Sequence, residues 1–379
     1  MTSLRNPAVR RRGLVAAAAL VAISTLTTSG SSPARADSTP ADTCGNLLLR
    51  KGTFTPLSAP DDAAPDPRAT TYSDINNHGQ LVGGYYEVGS MPDSQSFFPV
   101  DALHAVLRDR KGRSTSLDVP GADITLVYDL NDHAKVVGQY IDANADPDPQ
   151  GRLPAGTVHG FMWHRGEFTT IDVPGAALTQ PLGVNNEGDI VGAYIEAVDD
   201  PDPYAYYDAG RLRGFIMRKG RFTPIDFPGG EGTKVSGIND RGDMVGYYDT
   251  EDRRRGFLLR KGRFTPIDPP GSLFTLPSGI DNRGRVVGGF LDPNGINGRG
   301  FLWKQGRYTT IIAPGVRTDS IAVDINDRGE ILIPADGTYY RLPEIACGRP
   351  TVPASVDQQR EAAQATLAAA KCCLASSMS

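Results

Sequence analysis

Between residues 45 and about 335, apolar residues come in short runs, each cut off by Gly, Pro, Asn or Asp. Apolar positions at helical spacing are absent there. Phe257-Leu258-Leu259-Arg260 and Arg263-Phe264-Thr265-Pro266-Ile267 flank Lys261-Gly262. That pattern predicts two β-strands and a tight turn in which glycine takes a positive φ. Just upstream, Asn239-Asp240-Arg241-Gly242 separates two more apolar runs. Asn and Asp bond their own backbone in a turn and Gly takes its left-handed position, so this predicts a second hairpin.

Both hairpins recur. The first phrase reads Gly-Phe, two apolar residues, a basic residue, Gly, a basic residue, then Phe-Thr-x-Ile-Asp-x-Pro-Gly. It stands at 160–175, 214–229, 256–271 and 300–315, with weaker copies at 45–60 and 105–121. The second phrase centres on Ile75-Asn76, Leu130-Asn131, Val184-Asn185, Ile238-Asn239, Ile280-Asp281 and Ile325-Asn326. Two hairpins per copy make four strands, the size of a propeller blade. The expected fold is therefore all-β, a six-bladed β-propeller of four-stranded repeats over 45–346. The aligned rows Phe54, Phe168, Phe222, Phe264, Tyr308 and Tyr85, Tyr140, Tyr194, Tyr248, Phe290 are expected to pack the blades.

The paired phrases resemble the HAF repeats of predicted extracellular proteins. A His-Ala-Phe-like phrase stands as His104-Ala105-Val106 and His159-Gly160-Phe161, and as Arg-Gly-Phe in later copies. The likeness covers about residues 45 to 335. It implies export and repeat architecture, and it implies no catalytic residues.

The ends differ from the body. Arg5, Arg10, Arg11 and Arg12, an apolar run over 14–23 and Ala34-Arg35-Ala36 read as a secretory signal over 1–36, followed by a linker at 37–44. Arg11-Arg12 leaves both the general secretory and the twin-arginine routes open. The whole chain carries a net charge of −5, and loss of five arginines with the signal takes this to about −10. A body that acidic argues against nucleic acid and anionic lipid surfaces. In the tail at 347–379, Ser355 and Gln358 form a capping-box pattern before an Ala-rich run, which predicts a helix at about 355–371. Export permits disulfides. Cys44 precedes the first strand and Cys347 follows the last, so a closed ring is expected to pair them.

Candidate chemistry is sparse. His78, His104, His133, His159 and His164 all occupy positions that hold basic residues in other copies, so none stands out as catalytic. Arg241-Gly242-Asp243 lies in the repeated turn and reads as turn chemistry. No serine-hydrolase elbow, zinc-protease helix or phosphate loop occurs. The loops after two consecutive repeats carry Asp142, Asp146, Asp148 and Asp199, Asp200, Asp202, oxygen-rich candidates for weak Ca²⁺ binding. No other cofactor is expected. These residues point to an exported, monomeric, non-enzymatic binding or surface scaffold for a small molecule, glycan or protein, without membrane insertion. The alternative is a propeller hydrolase or lyase using carboxylate or metal chemistry. Side chains along the central channel separate the two: convergent unpaired carboxylates favour the enzyme, a dry apolar plug the scaffold.

Overall fold

The computed structural model describes residues 46–334, apart from 58–69, 87–102, 144, 147–151, 207–209, 252, 292–297 and 314–320. The expected signal, Cys44, Cys347 and Asp148 lie outside the described residues.

All 24 elements are strands. β1 (Leu47–Arg50) and β2 (Thr53–Pro56) open the chain. One antiparallel sheet follows from β3 (Thr70–Ile75), β4 (Leu81–Tyr86), β5 (Leu103–Arg108) and β6 (Ser114–Ser116). Next come β7 (Ala122–Leu130), β8 (Val136–Asp142), β9 (Val158–His164) and β10 (Glu167–Ile171). Then follow β11 (Ala176–Val184), β12 (Ile190–Glu196), β13 (Leu212–Arg218) and β14 (Arg221–Ile225). β15 (Gly232–Ile238), β16 (Met244–Asp249), β17 (Arg254–Arg260) and β18 (Arg263–Ile267) form a further sheet. So do β19 (Thr275–Ile280), β20 (Val286–Leu291), β21 (Gly298–Lys304) and β22 (Arg307–Ile311). β23 (Asp324–Ile325) and β24 (Ile331–Ile333) end the described chain. The first strands β3, β7, β11, β15, β19 and β23 touch one another in that order, and β23 touches β3. The protein is a β-propeller.

Two expectations are corrected. Six separate blades do not form: four sheets are free-standing four-stranded blades, and β7 to β14 make one eight-stranded sheet. A single parallel bridge, Leu178 to Val158, fuses the two halves of that wide sheet. The expected C-terminal helix also has no support, because no helix is among the elements of the described residues and 355–371 lies outside them. Accordingly, none of the described residues forms a helix long and apolar enough to cross a membrane.

The repeated phrase is also offset from the sheet. β1 pairs with β24, so the first hairpin of the chain completes the sheet begun by the last, in the order β2-β1-β24-β23. At this seam the edges of β1 and β24 pair with each other.

Local chemistry explains the strands. Lys261 and Gly262 both have positive φ, 49° and 75°, the type I′ turn whose twist matches a hairpin. Phe161, Phe215, Phe257 and Phe301, from the Gly-Phe phrase, are fully buried. Phe168, Phe222, Phe264 and Tyr308 meet them edge-on at ring distances of 5.1 to 6.1 Å. The Asp of the Ile-Asp-x-Pro phrase pairs with the second residue of the third strand. His104 meets Asp118 at 2.9 Å, His159 meets Asp172 at 2.7 Å, and Arg213 binds Asp226. These histidines thus stand in for arginine.

The Asn turns do more than turn the chain. Asn239 Oδ1 accepts the N–H groups of Arg241 and Asp243, while its Nδ2 donates to the carbonyl of Asp281 in the next copy. The following residue alternates around the axis: Asn77, Asp132, Asn186, Asp240, Asn282, Asp327. Each backbone N–H donates to the next member's Oδ1 at 2.7 to 2.9 Å. Each Asn Nδ2 donates to both flanking Asp Oδ2 atoms at 2.7 to 3.2 Å. The result is a closed girdle of three amides and three carboxylates. Burial would raise the Asp132 carboxyl, but the hydrogen bonds from Asn77 and Asn186 outweigh it and hold it below the usual range.

Asn186→Asp replaces two donated hydrogen bonds with a carboxylate against Asp132 and Asp240. Losing hydrogen bonds to charged groups implies a cost of at least about 3 kcal/mol at pH 7. Urea unfolding at pH 7 and pH 4.5 checks this: the deficit is expected to shrink at the lower pH as the crowded acids take up protons.

Candidate functional site

A cavity of about 260 Å³ runs along the axis, lined at one end by the girdle and at the other by Lys234, Leu276 and Ile321. The girdle narrows its floor. A six-membered ring with edges near 3 Å has a radius of about the same length, leaving an opening no wider than about one water molecule. The girdle therefore narrows that end of the cavity to about the width of one water molecule.

Midway along the wall, three acids meet. Asp74, Asp129 and Asp324 occupy the strand position that holds Gly183, Gly237 and Gly279 in the other copies. The glycines are required by proximity: a Cβ on Gly279 would lie 2.6 Å from Asp324 Oδ1. Asp74 bonds both other carboxyls. It also accepts the N–H groups of Ile75 and Leu130, each at 2.6 Å. Asp129 accepts the N–H of Val184 at 2.9 Å. Burial, with the charges of Asp129 and Asp324 behind it, raises Asp74 well above the ordinary carboxylate range. Burial and the Asp324 charge push Asp129 up to about 6, although the hydrogen bonds from Asp74, Val184 and Leu130 oppose it. Burial also raises Asp324. Asp74 is thus the proton holder and donates to one neighbour at a time.

The mouth has different chemistry. Lys234 sits where other copies have Thr71, Leu126, Gln180, Leu276 and Ile321. Its Nζ donates to Gln180 Oε1 at 3.4 Å, and Gln180 in turn donates to Gln139. Beside it, Arg254 binds Asp249 at 2.7 and 3.3 Å and covers the Tyr247 ring at 4.1 Å. Burial, then the Arg254 charge, pushes the Lys234 amine down to about 8, with Asp249 opposing.

The sequence-derived acidic loops do meet, on the mouth side. Tyr204 Oη donates to the Asp146 carbonyl at 2.8 Å, Tyr206 Oη to Leu153 at 2.9 Å, and Ala155 N to Pro203 at 2.9 Å. Several of their carboxylates are engaged locally. Asp142 accepts from His159, Asp200 caps the N–H of Asp202, and Asp202 caps that of Tyr204. Asp199 is exposed. Among the described residues, no group of three or more His, Cys, Asp or Glu side chains is arranged to hold a metal ion. The channel groups escaped the sequence reading, although Asp74, Asp129, Asp324 and Lys234 each break their repeat.

The triad has a definite pH signature. Its folded carboxyls hold protons that the unfolded chain releases near pH 4, so its contribution to stability falls as pH rises from about 4 through about 6. Asp74→Asn removes the titrating proton holder, and is expected to flatten that fall relative to the parent. Urea midpoints at pH 4, 5.5 and 7 provide the comparison; parallel profiles for the two proteins would contradict the shared proton.

No family model matches the chain, and no curated relative matches it. Among solved structures, it is similar to a putative TolB from Agrobacterium tumefaciens at 12% identity, over 76% of this chain and 96% of that one, with a TM-score of 0.45. It is similar to the β-propeller domain of the Trilobed protease from Pyrococcus furiosus at 12% identity, over 65% of this chain and 68% of that one, with a TM-score of 0.42. It is also similar to a Streptogramin B lyase at 12% identity, over 78% of this chain and 99% of that one, with a TM-score of 0.36. Likeness this distant carries no argument about this protein.

Proposed function

We propose that this protein is an exported, non-enzymatic binding scaffold that holds a small ligand in the axial channel of its propeller. The observation that carries the reading is the axial cavity itself, narrowed at its floor by the girdle. Its volume lies just below the usual range of ligand pockets, about 300–1,000 Å³, which favours a small molecule over a glycan chain or a protein loop. The channel acids speak against hydrolase or lyase chemistry. They converge, but they bond one another and backbone N–H groups rather than standing free to act on a substrate. The three-part signal at the N-terminus and the HAF-like phrases support export.

Leu276 lines the mouth, and Leu276→Trp fills it. Ligand-observed NMR with a library of metabolite-sized compounds is expected to give hits on the parent that compete with one another and vanish in Leu276→Trp. Absence of hits at millimolar concentration, or hits that persist in the variant, would overturn the channel reading. Export is checked separately: N-terminal sequencing of protein recovered outside the cytoplasm is expected to begin near Asp37.

A further inference from the structure

We propose that the channel mouth takes small amphipathic monocarboxylates, with Lys234 as the cation that anchors the acid group. This rests on the channel being the ligand site and adds the class of ligand.

Lys234 is a charge placed where the repeat otherwise puts a neutral residue. Among the described residues it has no carboxylate at salt-bridge distance. The nearby Asp249 is engaged twice by Arg254. The one hydrogen-bond partner of the Lys234 ammonium is a neutral amide oxygen at 3.4 Å. An enclosed ammonium with so weak a partner gains most from an incoming anion, because charge-assisted hydrogen bonds are roughly twice as strong as neutral ones.

The rest of the mouth sets the shape of the ligand. Leu276, Ile321 and Leu182 line it, so a short hydrocarbon body can lie across the opening while the acid stays with Lys234. Deeper in, Asp74, Asp129 and Asp324 and the girdle acids repel a second carboxylate. One acid group and an apolar body suit the site; a dicarboxylate does not. Because burial and Arg254 push the Lys234 amine down to about 8, carboxylate binding should weaken above that pH. The other charged or titratable groups facing it, Arg254, Asp249 and Tyr247, do not change that sign. The Tyr247 ring and the Asp249 carboxylate hold the Arg254 guanidinium above its ordinary range, and burial pushes Tyr247 up to about 12.

Calorimetric titration of the mature protein with hexanoate, hexanol and hexylammonium separates the possibilities. Hexanoate is expected to bind at least tenfold tighter than hexanol. It should lose at least tenfold in Lys234→Leu, a residue the repeat itself places there, and keep its affinity in Lys234→Arg. Affinity for the parent should also fall at least tenfold between pH 7 and pH 9.5. Tighter binding of hexylammonium, or hexanoate binding indifferent to Lys234→Leu, would overturn the assignment while leaving the channel as a site. Binding of none of the three would overturn it too. The separate Leu276→Trp screen decides whether the channel reading falls with it.

Discussion

An antiparallel sheet satisfies its own backbone, but nothing in a sheet obliges it to stand at a fixed angle to the next. In this protein that obligation falls on the alternating amides and carboxylates around the axis. Each Asn supplies two donors and one acceptor, each Asp accepts three times, and each backbone N–H reaches the neighbouring side chain. Buried polar groups are costly unless paired, so the girdle is either complete or a liability. Its last link joins Asp327 to Asn77, residues 250 apart in sequence. The seam between β1 and β24 closes the same circle at greater radius.

One amino-acid type plays opposite parts only a few ångströms apart along this axis. In the girdle, Asp132 faces amide donors and stays ionised. In the triad, Asp74 faces other acids and stays protonated. The difference lies in what the neighbouring copies bring, not in depth alone. The acids line one side of the channel, and the glycines Gly183, Gly237 and Gly279 line the other, so a pseudo-symmetric ring has a polar axis with a sense of direction. Lys234, at the mouth, is the sole cation lining the cavity among the described residues.

The strands and turns were legible because their signals are local. Lys261-Gly262 and Asn239 to Gly242 declare their geometry within four residues. Relations between copies were less so. Joining β7 to β14 into one sheet depends on a single bridge between Leu178 and Val158, with no motif to announce it. The offset of phrase from sheet depends on which hairpin closes the ring, and the long intervening loops say nothing of that. The Asn-Asp alternation was visible, but its meaning needs six distant turns, each brought within hydrogen-bond distance of the next. At the site, comparison across copies puts His104 and His159 in the place of Arg213, against the same aspartate of the phrase. The same comparison across copies, applied two residues before each turn, would have exposed Asp74, Asp129 and Asp324. Composition also does not show that Asp200 and Asp202 each cap a backbone N–H within their own loop.

The alternation also imposes a parity rule. A circle in which amide and carboxylate take turns exists only for an even number of members. Gain or loss of one copy would set two acids side by side, mutually repelling, or two amides side by side, one lacking an acceptor. Copies can therefore be added or removed without such a fault only in pairs, so the natural unit of duplication is twice the repeat that the eye first picks out. Of all the features of this fold, the girdle alone can count.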